Sequence, residues 1–272
     1  MLATARAQAS FAGFVPARCP SPERRPAQMG SYCGGIPARH AMSEQHRVEI
    51  GPSEHVTAIA YPAQGAGAGV SLILAHGAGA NQLSTFMVRF ADALAARGIE
   101  VITFNFLYSE RRKRAPDRND KLEACWRAMI DAFHAGKFGA RGNTLAIGGK
   151  SMGGRIASQV AAAGADIVGI VLLGYPLHPP GRPEQLRTRH LPAISVPMLI
   201  VQGARDTFGT PAELAPVLAG LSAPVELRVI EGGDHSFKVP KKAGRSQQDV
   251  DAFVLDEVET WLRRLVRKSE PK

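Results

Sequence analysis

The chain has 272 residues, enough for one α/β domain with a full core. Its hydrophobic content is 45%, with no run of about eighteen apolar residues, so no membrane-spanning helix is expected. The formal charge is +9, yet residues 1–41 hold five arginines against one glutamate, so the remainder is only mildly basic and charge alone does not point to nucleic acid.

Residues 1–41 are rich in Ala, Arg and Pro and show no helical or strand period, so they are expected to be a disordered or non-native leader. They lack the apolar core of a secretory signal, and Arg24-Arg25 is followed by Pro26 rather than by an apolar run. An acidic-poor, Arg-rich start also fits an organelle transit segment. Met42-Ser43-Glu44 reads as a natural start, which puts the domain at 42–272. Cys19, Cys33 and Cys125 form neither a disulfide framework nor a zinc-ligand spacing, which favours a reducing, cytoplasmic setting.

From there the elements can be taken in order. His46 to Gly51 and Val56 to Tyr61 alternate as edge strands, and a turn over 64–69 leads into the apolar run Val70 to Ala75. Leu83, Phe86, Met87, Phe90 and Leu94 share one helical face, and Gly98 ends that helix. Val101 to Phe106 reads as a strand, and Leu122, Cys125, Trp126, Met129, Ile130 and Phe133 as a helical stripe. Thr144 to Gly148 is the next apolar run, followed by a small-residue helix pattern from Gly154 to Ala163. Met198 to Gly203 and Val225 to Ile230 are further strands around a helix that begins near Pro211. Val250, Phe253, Val254, Val258, Trp261, Leu262 and Leu265 form the last stripe, and both tryptophans fall on stripes as core residues. Strands alternating with helices predict an α/β class fold: a mostly parallel central sheet with helices on both faces. No gap is long enough for a large lid domain.

The chemistry concentrates at Gly149-Lys150-Ser151-Met152-Gly153, a G-x-S-x-G pentapeptide between a strand and a helix. A sharp turn there leaves no room for Cβ atoms two residues either side of the serine. It lifts the hydroxyl to a helix N-terminus, where backbone N–H groups can stabilise a negative oxygen. A serine nucleophile needs a base, and the base needs an orienting carboxylate. Asp206 lies just past one downstream strand and His235 just past the next, in the order this turn requires. Asp234 and Glu231 are the lesser candidates for the acid. The oxyanion donors expected are the N–H groups of Met152 and of Ala78, the latter in the loop His76-Gly77-Ala78-Gly79-Ala80-Asn81. His76 is expected to be structural rather than a base. Gly149-Lys150-Ser151 also resembles the end of a phosphate-binding glycine loop, but Thr144 stands where that motif needs its first glycine.

Together these motifs resemble an α/β-hydrolase. Gly148-Gly149-Lys150-Ser151-Met152-Gly153-Gly154-Arg155, Gly174-Tyr175-Pro176-Leu177-His178-Pro179-Pro180-Gly181, Gln202-Gly203-Ala204-Arg205-Asp206 and Gly232-Gly233-Asp234-His235-Ser236-Phe237 are similar to a small dienelactone-hydrolase-like branch. That branch includes the testis-expressed and NSL-complex-subunit hydrolase-like proteins. The resemblance covers about residues 46–267 and implies the α/β-hydrolase fold and a hydrolase-type site, without a substrate. Because some animal relatives look like interaction subunits, a non-catalytic binding or scaffold role is the alternative.

The expectation is a serine hydrolase acting on a carboxylic ester or similar acyl bond of a small molecule. It calls for no cofactor and no metal, and for neither nucleic acid nor a membrane as partner; the oligomeric state is left open. Tyr175 and His178, in the non-periodic piece from Gly174 to Val196, either line the substrate cleft or belong to a proline-stiffened loop. Arg111, Arg112, Lys113 and Arg114 follow a strand at the catalytic sheet edge. They either attract an anionic substrate or form a solvated loop.

Overall fold

The computed structural model describes residues 43–139 and 142–269, so the leader expected at 1–41 lies outside the described residues. Eight strands form one sheet in the order β1-β2-β4-β3-β5-β6-β7-β8. They are β1 (Glu44–Gly51), β2 (Glu54–Tyr61), β3 (Val70–Ala75), β4 (Glu100–Phe104), β5 (Thr144–Lys150), β6 (Gly169–Leu173), β7 (Met198–Gly203) and β8 (Val225–Ile230). β1 and β2 pair antiparallel at one edge, β2 meets β4 antiparallel, and β3 to β8 run parallel.

Strand alternation splits the core into two clusters. Ile73, Ile147, Ile170 and Met198 pair in register and face one side, where α3 (Asn119–His134), α4 (Met152–Ala162) and α5 (Pro211–Ala219) pack. Leu74, Val171 and Leu199 face the other side, covered by α1 (Thr85–Ala96) and α6 (Gln247–Ser269). Trp126 and Trp261 are buried, one on each side. The helices carry the local signals expected of them. α5 starts with a full capping box between Thr210 and Glu213, and Gly98 takes φ +81° just past the end of α1.

Three boundaries differ from the sequence reading. Leu83 precedes α1 and is 65% exposed rather than sharing its buried face. α4 begins at Met152, not Gly154, directly after Ser151. β4 stops at Phe104, and a short helix, α2 (Leu107–Glu110), turns the chain at once. The last difference moves a cluster of charges, as described below. Because β4 and β5 lie on opposite sides of β3, the loops after β3 and β5 diverge at the carboxyl edge of the sheet. A crevice at such a point is where open α/β sheets bind ligands.

Candidate active site

Ser151 joins β5 to α4 with φ +51° and ψ −116°, an uncommon conformation for a residue with a side chain. Its neighbours force the turn. A Cβ on Gly149 would lie 2.6 Å from the backbone of Gly153 and Gly154, and one on Gly153 would lie 2.5 Å from Ala75 O. Only glycine lets strand and helix approach this closely. The Ser151 N–H donates to Leu173 O of β6 at 2.9 Å, which anchors the turn to the sheet.

The hydroxyl of Ser151 is 2.8 Å from His235 Nε2, and His235 Nδ1 is 2.7 Å from Asp206 Oδ2. Asp206 is 1% exposed and accepts two further hydrogen bonds, from the Phe208 N–H at 2.8 Å and from Gln202 Nε2 at 2.9 Å. An ionised carboxylate can only accept, so the ring proton sits on Nδ1 and Nε2 presents a lone pair to the serine hydroxyl. Phe208 packs against the imidazole with ring centroids 4.2 Å apart. Asp234 is occupied elsewhere, its Oδ1 accepting from the N–H groups of Ser236 and Lys238 and so shaping the histidine loop. Glu231 is exposed.

Two residues in this arrangement gave no separate signal in the sequence. Gln202, fully buried, binds the carboxylate of Asp206, the carbonyl oxygens of Tyr175 and Gly209, and the Tyr175 N–H. It ties the loops after β6 and β7 together. Lys150 donates its ammonium to the carbonyl oxygen of His235 and stacks 4.9 Å from the Phe237 ring; burial pulls its pKa down to about 8.

Gly77 and Ala78 line the same cavity as Ser151 and Met152, and a Cβ on Gly77 would lie 3.5 Å from Ser151 Cβ. The loop after β3 therefore runs beside the turn at Ser151. Met152, as the first residue of α4, has an N–H with no acceptor inside its own helix. His76 has no exposure, donates from Nδ1 to Gly77 O at 2.9 Å and accepts at Nε2 from the Phe106 N–H at 3.3 Å. Burial drives its pKa down to about 4, so it is a neutral structural ring.

The cavity holding Ser151 and His235 measures about 920 Å³. Its lining favours the loop alternatives for Tyr175, His178, Arg111 and Arg112. Tyr175 is 1% exposed and turns away from the cavity, its hydroxyl donating to Arg187 O at 2.6 Å. His178 is buried against Pro179 O and Glu213 and does not line the cavity either. From the same segment it is Pro176 and Arg187 that reach the cavity. Arg111 and Arg112 are exposed and outside the cavity, with Arg111 paired to Glu54 of β2. The turn of α2 carries them sideways to the start of β2, at the same edge of the sheet but away from Ser151.

The guanidinium groups on the cavity wall are instead those of Arg155 and Arg187, with Arg89 at the opposite side. Arg155 reaches Asn119 Oδ1 at 3.3 Å and Arg187 reaches Pro176 O at 3.5 Å; among the described residues neither meets a carboxylate in an ion pair. Burial, and then the nearby charge of Arg187, lower the pKa of Arg155. Asp117 lines the cavity too, with Oδ2 buried and without a hydrogen-bond partner among the described residues. Those residues contain no cluster of His, Cys, Asp and Glu suited to a metal ion, and no helix long and apolar enough to cross a membrane.

A family model described as an alpha/beta hydrolase domain matches residues 68–263 of the chain. Among solved structures, the chain is similar to a dienelactone hydrolase from Anabaena variabilis at 19% identity and TM-score 0.63, over 81% of this chain and 96% of that one. A lidless α/β serine hydrolase from Xanthomonas campestris matches at 21% identity and TM-score 0.64, over 82% and 96%. An esterase domain from Rhodothermus marinus matches at 15% identity and TM-score 0.61, over 82% and 98%.

Proposed function

We propose that this chain, which belongs to the α/β-hydrolase family, is a serine hydrolase that cleaves a carboxylic ester or similarly activated acyl bond of a small molecule through an acyl-enzyme. The observation that carries the reading is the hydrogen-bonded series Ser151–His235–Asp206, with the serine held at positive φ in an open cavity. In the proposed reaction Ser151 Oγ adds to the acyl carbon while His235 Nε2 takes its proton. The carbonyl oxygen becomes an oxyanion between the N–H groups of Met152 and Ala78. The tetrahedral species collapses, and His235 returns the proton to the departing alcohol. Water then repeats the sequence on the acyl-enzyme, releasing the acid and restoring the serine. Asp206 keeps the imidazole in the tautomer this needs and stabilises the imidazolium that forms.

A fluorophosphonate probe tests the reading. Wild-type protein should be labelled on Ser151 and should hydrolyse p-nitrophenyl acetate, whereas Ser151→Ala should lose the label and about 10⁴-fold or more of the turnover while its melting temperature holds. Folded wild-type protein that neither reacts nor turns over would favour a binding role for the same cavity.

A further inference from the structure

A second cavity, of about 520 Å³, lies between α1 and α6. Phe86, Phe90, Ala93, Val254, Leu255 and Phe237 form its walls. It is not separate from the catalytic cavity, because Phe86, Arg89 and Asp251 line both. At the far end it reaches Ala96, in the last turn of α1, and Gln64, whose N–H donates to Ala95 O. From Phe86 to Ala96 the helix rises by about 15 Å, so the two cavities together form a trough that leads from the serine along the length of α1.

Apolar groups make the walls of this trough and charged groups its margin. Phe86 and Phe90 stack with ring centroids 5.3 Å apart, and Phe86 meets Phe237 edge-on at 6.4 Å. Phe90, Phe237, Val254 and Leu255 are buried in the fold yet present one side to the trough. Arg89 and Asp251 pair at 2.9 Å where the two cavities meet. Both belong to the outer surface, and an exposed ion pair of this kind contributes little and rearranges readily. The junction is thus a soft threshold; beyond it the trough offers a mainly aromatic and aliphatic surface, with the half-buried Asp92 and the exposed Gln64 as its polar residues. Such a site selects for length and apolarity rather than for a hydrogen-bonding pattern.

We infer that the trough between α1 and α6 is a hydrocarbon subsite of the catalytic centre, and that the substrate class is esters or related acyl compounds carrying a medium-length alkyl chain. The inference rests on the serine-hydrolase reading, since the chain lies in the trough only if the reacting carbonyl lies at Ser151. Continuity with the cavity of the nucleophile is what selects this occupant.

Two ester series test it. One lengthens the acyl side as p-nitrophenyl esters from acetate to dodecanoate; the other lengthens the alcohol side as alkyl acetates. In one series kcat/KM should climb by about two- to four-fold per methylene until the trough is filled, and the series that climbs identifies which side of the ester it holds. Ala93→Phe and Ala96→Phe narrow the trough from α1 without touching the nucleophile, the latter at an exposed position. Each should flatten the climb, read as the ratio of octanoate to acetate rates. Fluorophosphonate labelling of Ser151, measured alongside, separates failure of the hydrolase reading from failure of this one. With labelling and acetate turnover intact, a flat response in both series would overturn the subsite, as would a climb that survives both variants. So would a slope that appears only when residues 1–41 are removed, or a dimer that Ala96→Phe dissociates, because these would assign the trough to the leader or to a second copy.

Discussion

The two faces of the sheet are built from different materials. Beneath α1 and α6 the core is mostly hydrocarbon, a continuous set from Leu72 and Leu74 through Phe90 and Val201 to Trp261, with the buried Thr103–Gln82 hydrogen bond and the Lys150 ammonium against Phe237 as its polar exceptions. The side covered by α3, α4 and α5 is as well packed, but polar groups thread through it. Gln202 and Asp206 are buried and hydrogen-bonded there, the Tyr175 hydroxyl donates to Arg187 O, and Arg155 and Arg187 open onto the cavity from it. The difference teaches a division of labour. Buried polar groups cost free energy unless fully hydrogen-bonded, and once bonded they tolerate little displacement. The polar side therefore fixes Asp206 and Gln202 in place, and the apolar side is free to be shaped around a ligand.

The sharpest way to break this comparison is to loosen the polar side where it grips the imidazole. Asp206→Asn should lower kcat on p-nitrophenyl acetate by about 10⁴-fold, because the amide favours the wrong tautomer of His235. Asp234→Asn should cost less than about ten-fold, because it weakens only the loop turn at Ser236 and Lys238. A larger loss from Asp234→Asn than from Asp206→Asn would reverse the assignment of the acid.

Much of this was legible beforehand, and the misses share a cause. Ser151, Asp206 and His235 each follow a strand whose apolar run is unmistakable, so counting strands puts all three at one sheet edge, where hydrogen bonds join them. The segment from Gly174 to Val196 has no period, and nothing in its residue types tells which side chains turn inward. Tyr175 and His178 could serve as cleft or loop residues, and the structure turns them into the loop, the Tyr175 hydroxyl onto Arg187 O and His178 Nδ1 onto Pro179 O. Arg111 and Arg112 follow β4 at the carboxyl edge of the sheet, and which way they turn depends on α2, a four-residue helix that the apolar run through Phe106 does not announce. Arg155 sat in plain view within the elbow motif. Its exposure to the cavity depends on the crossing of α4 over the sheet, which no local pattern reports.

The electrostatics of the polar wall can be sharpened next. Arg155 and Arg187 without carboxylate partners should favour an ester bearing a carboxylate over a neutral one of equal size. The preference in kcat/KM should be about ten-fold at 0.01 M salt and should shrink by 0.15 M, where the Debye length is roughly 8 Å. Asp117 in the same wall keeps the preference moderate. Arg155→Gln with Arg187→Gln should abolish it, whereas Arg111→Gln with Arg112→Gln should leave it in place. Equal rates for both esters at low salt would remove any electrostatic role for this wall.

The two sides should also part company in acid. Burial pushes His76 and His190 down to about 4, and both belong with the polar side. A folded-state pKa below the unfolded value of about 6.5 means that the unfolded chain binds more protons between those two values, so stability present above about pH 6.5 is lost as pH falls toward 4. The wild type should lose a few kcal/mol in urea unfolding between about pH 7 and pH 4.5, and His190→Gln should flatten that fall by about 1–2 kcal/mol. An unchanged slope in the variant would detach His190 from acid sensitivity.

The smallest effect expected lies outside both faces. A chain begun at Met42 should match the full chain in melting temperature within about 2 °C and in ester hydrolysis, since residues 1–41 offer no periodic apolar face to dock. A large fall in either would give the leader a place on the domain.

The turn at Ser151 has a consequence for how this protein could be improved. A side chain held at positive φ costs about 1–3 kcal/mol, and glycine at that position would relieve it. On the serine-hydrolase reading, the residue that would attack the substrate is therefore also one that makes the fold less durable. Selection for heat resistance alone would pass through that position and discard the chemistry. Directed evolution of this scaffold needs a screen that demands turnover at every round, with stabilising changes sought far from the elbow, in the hydrocarbon side of the sheet.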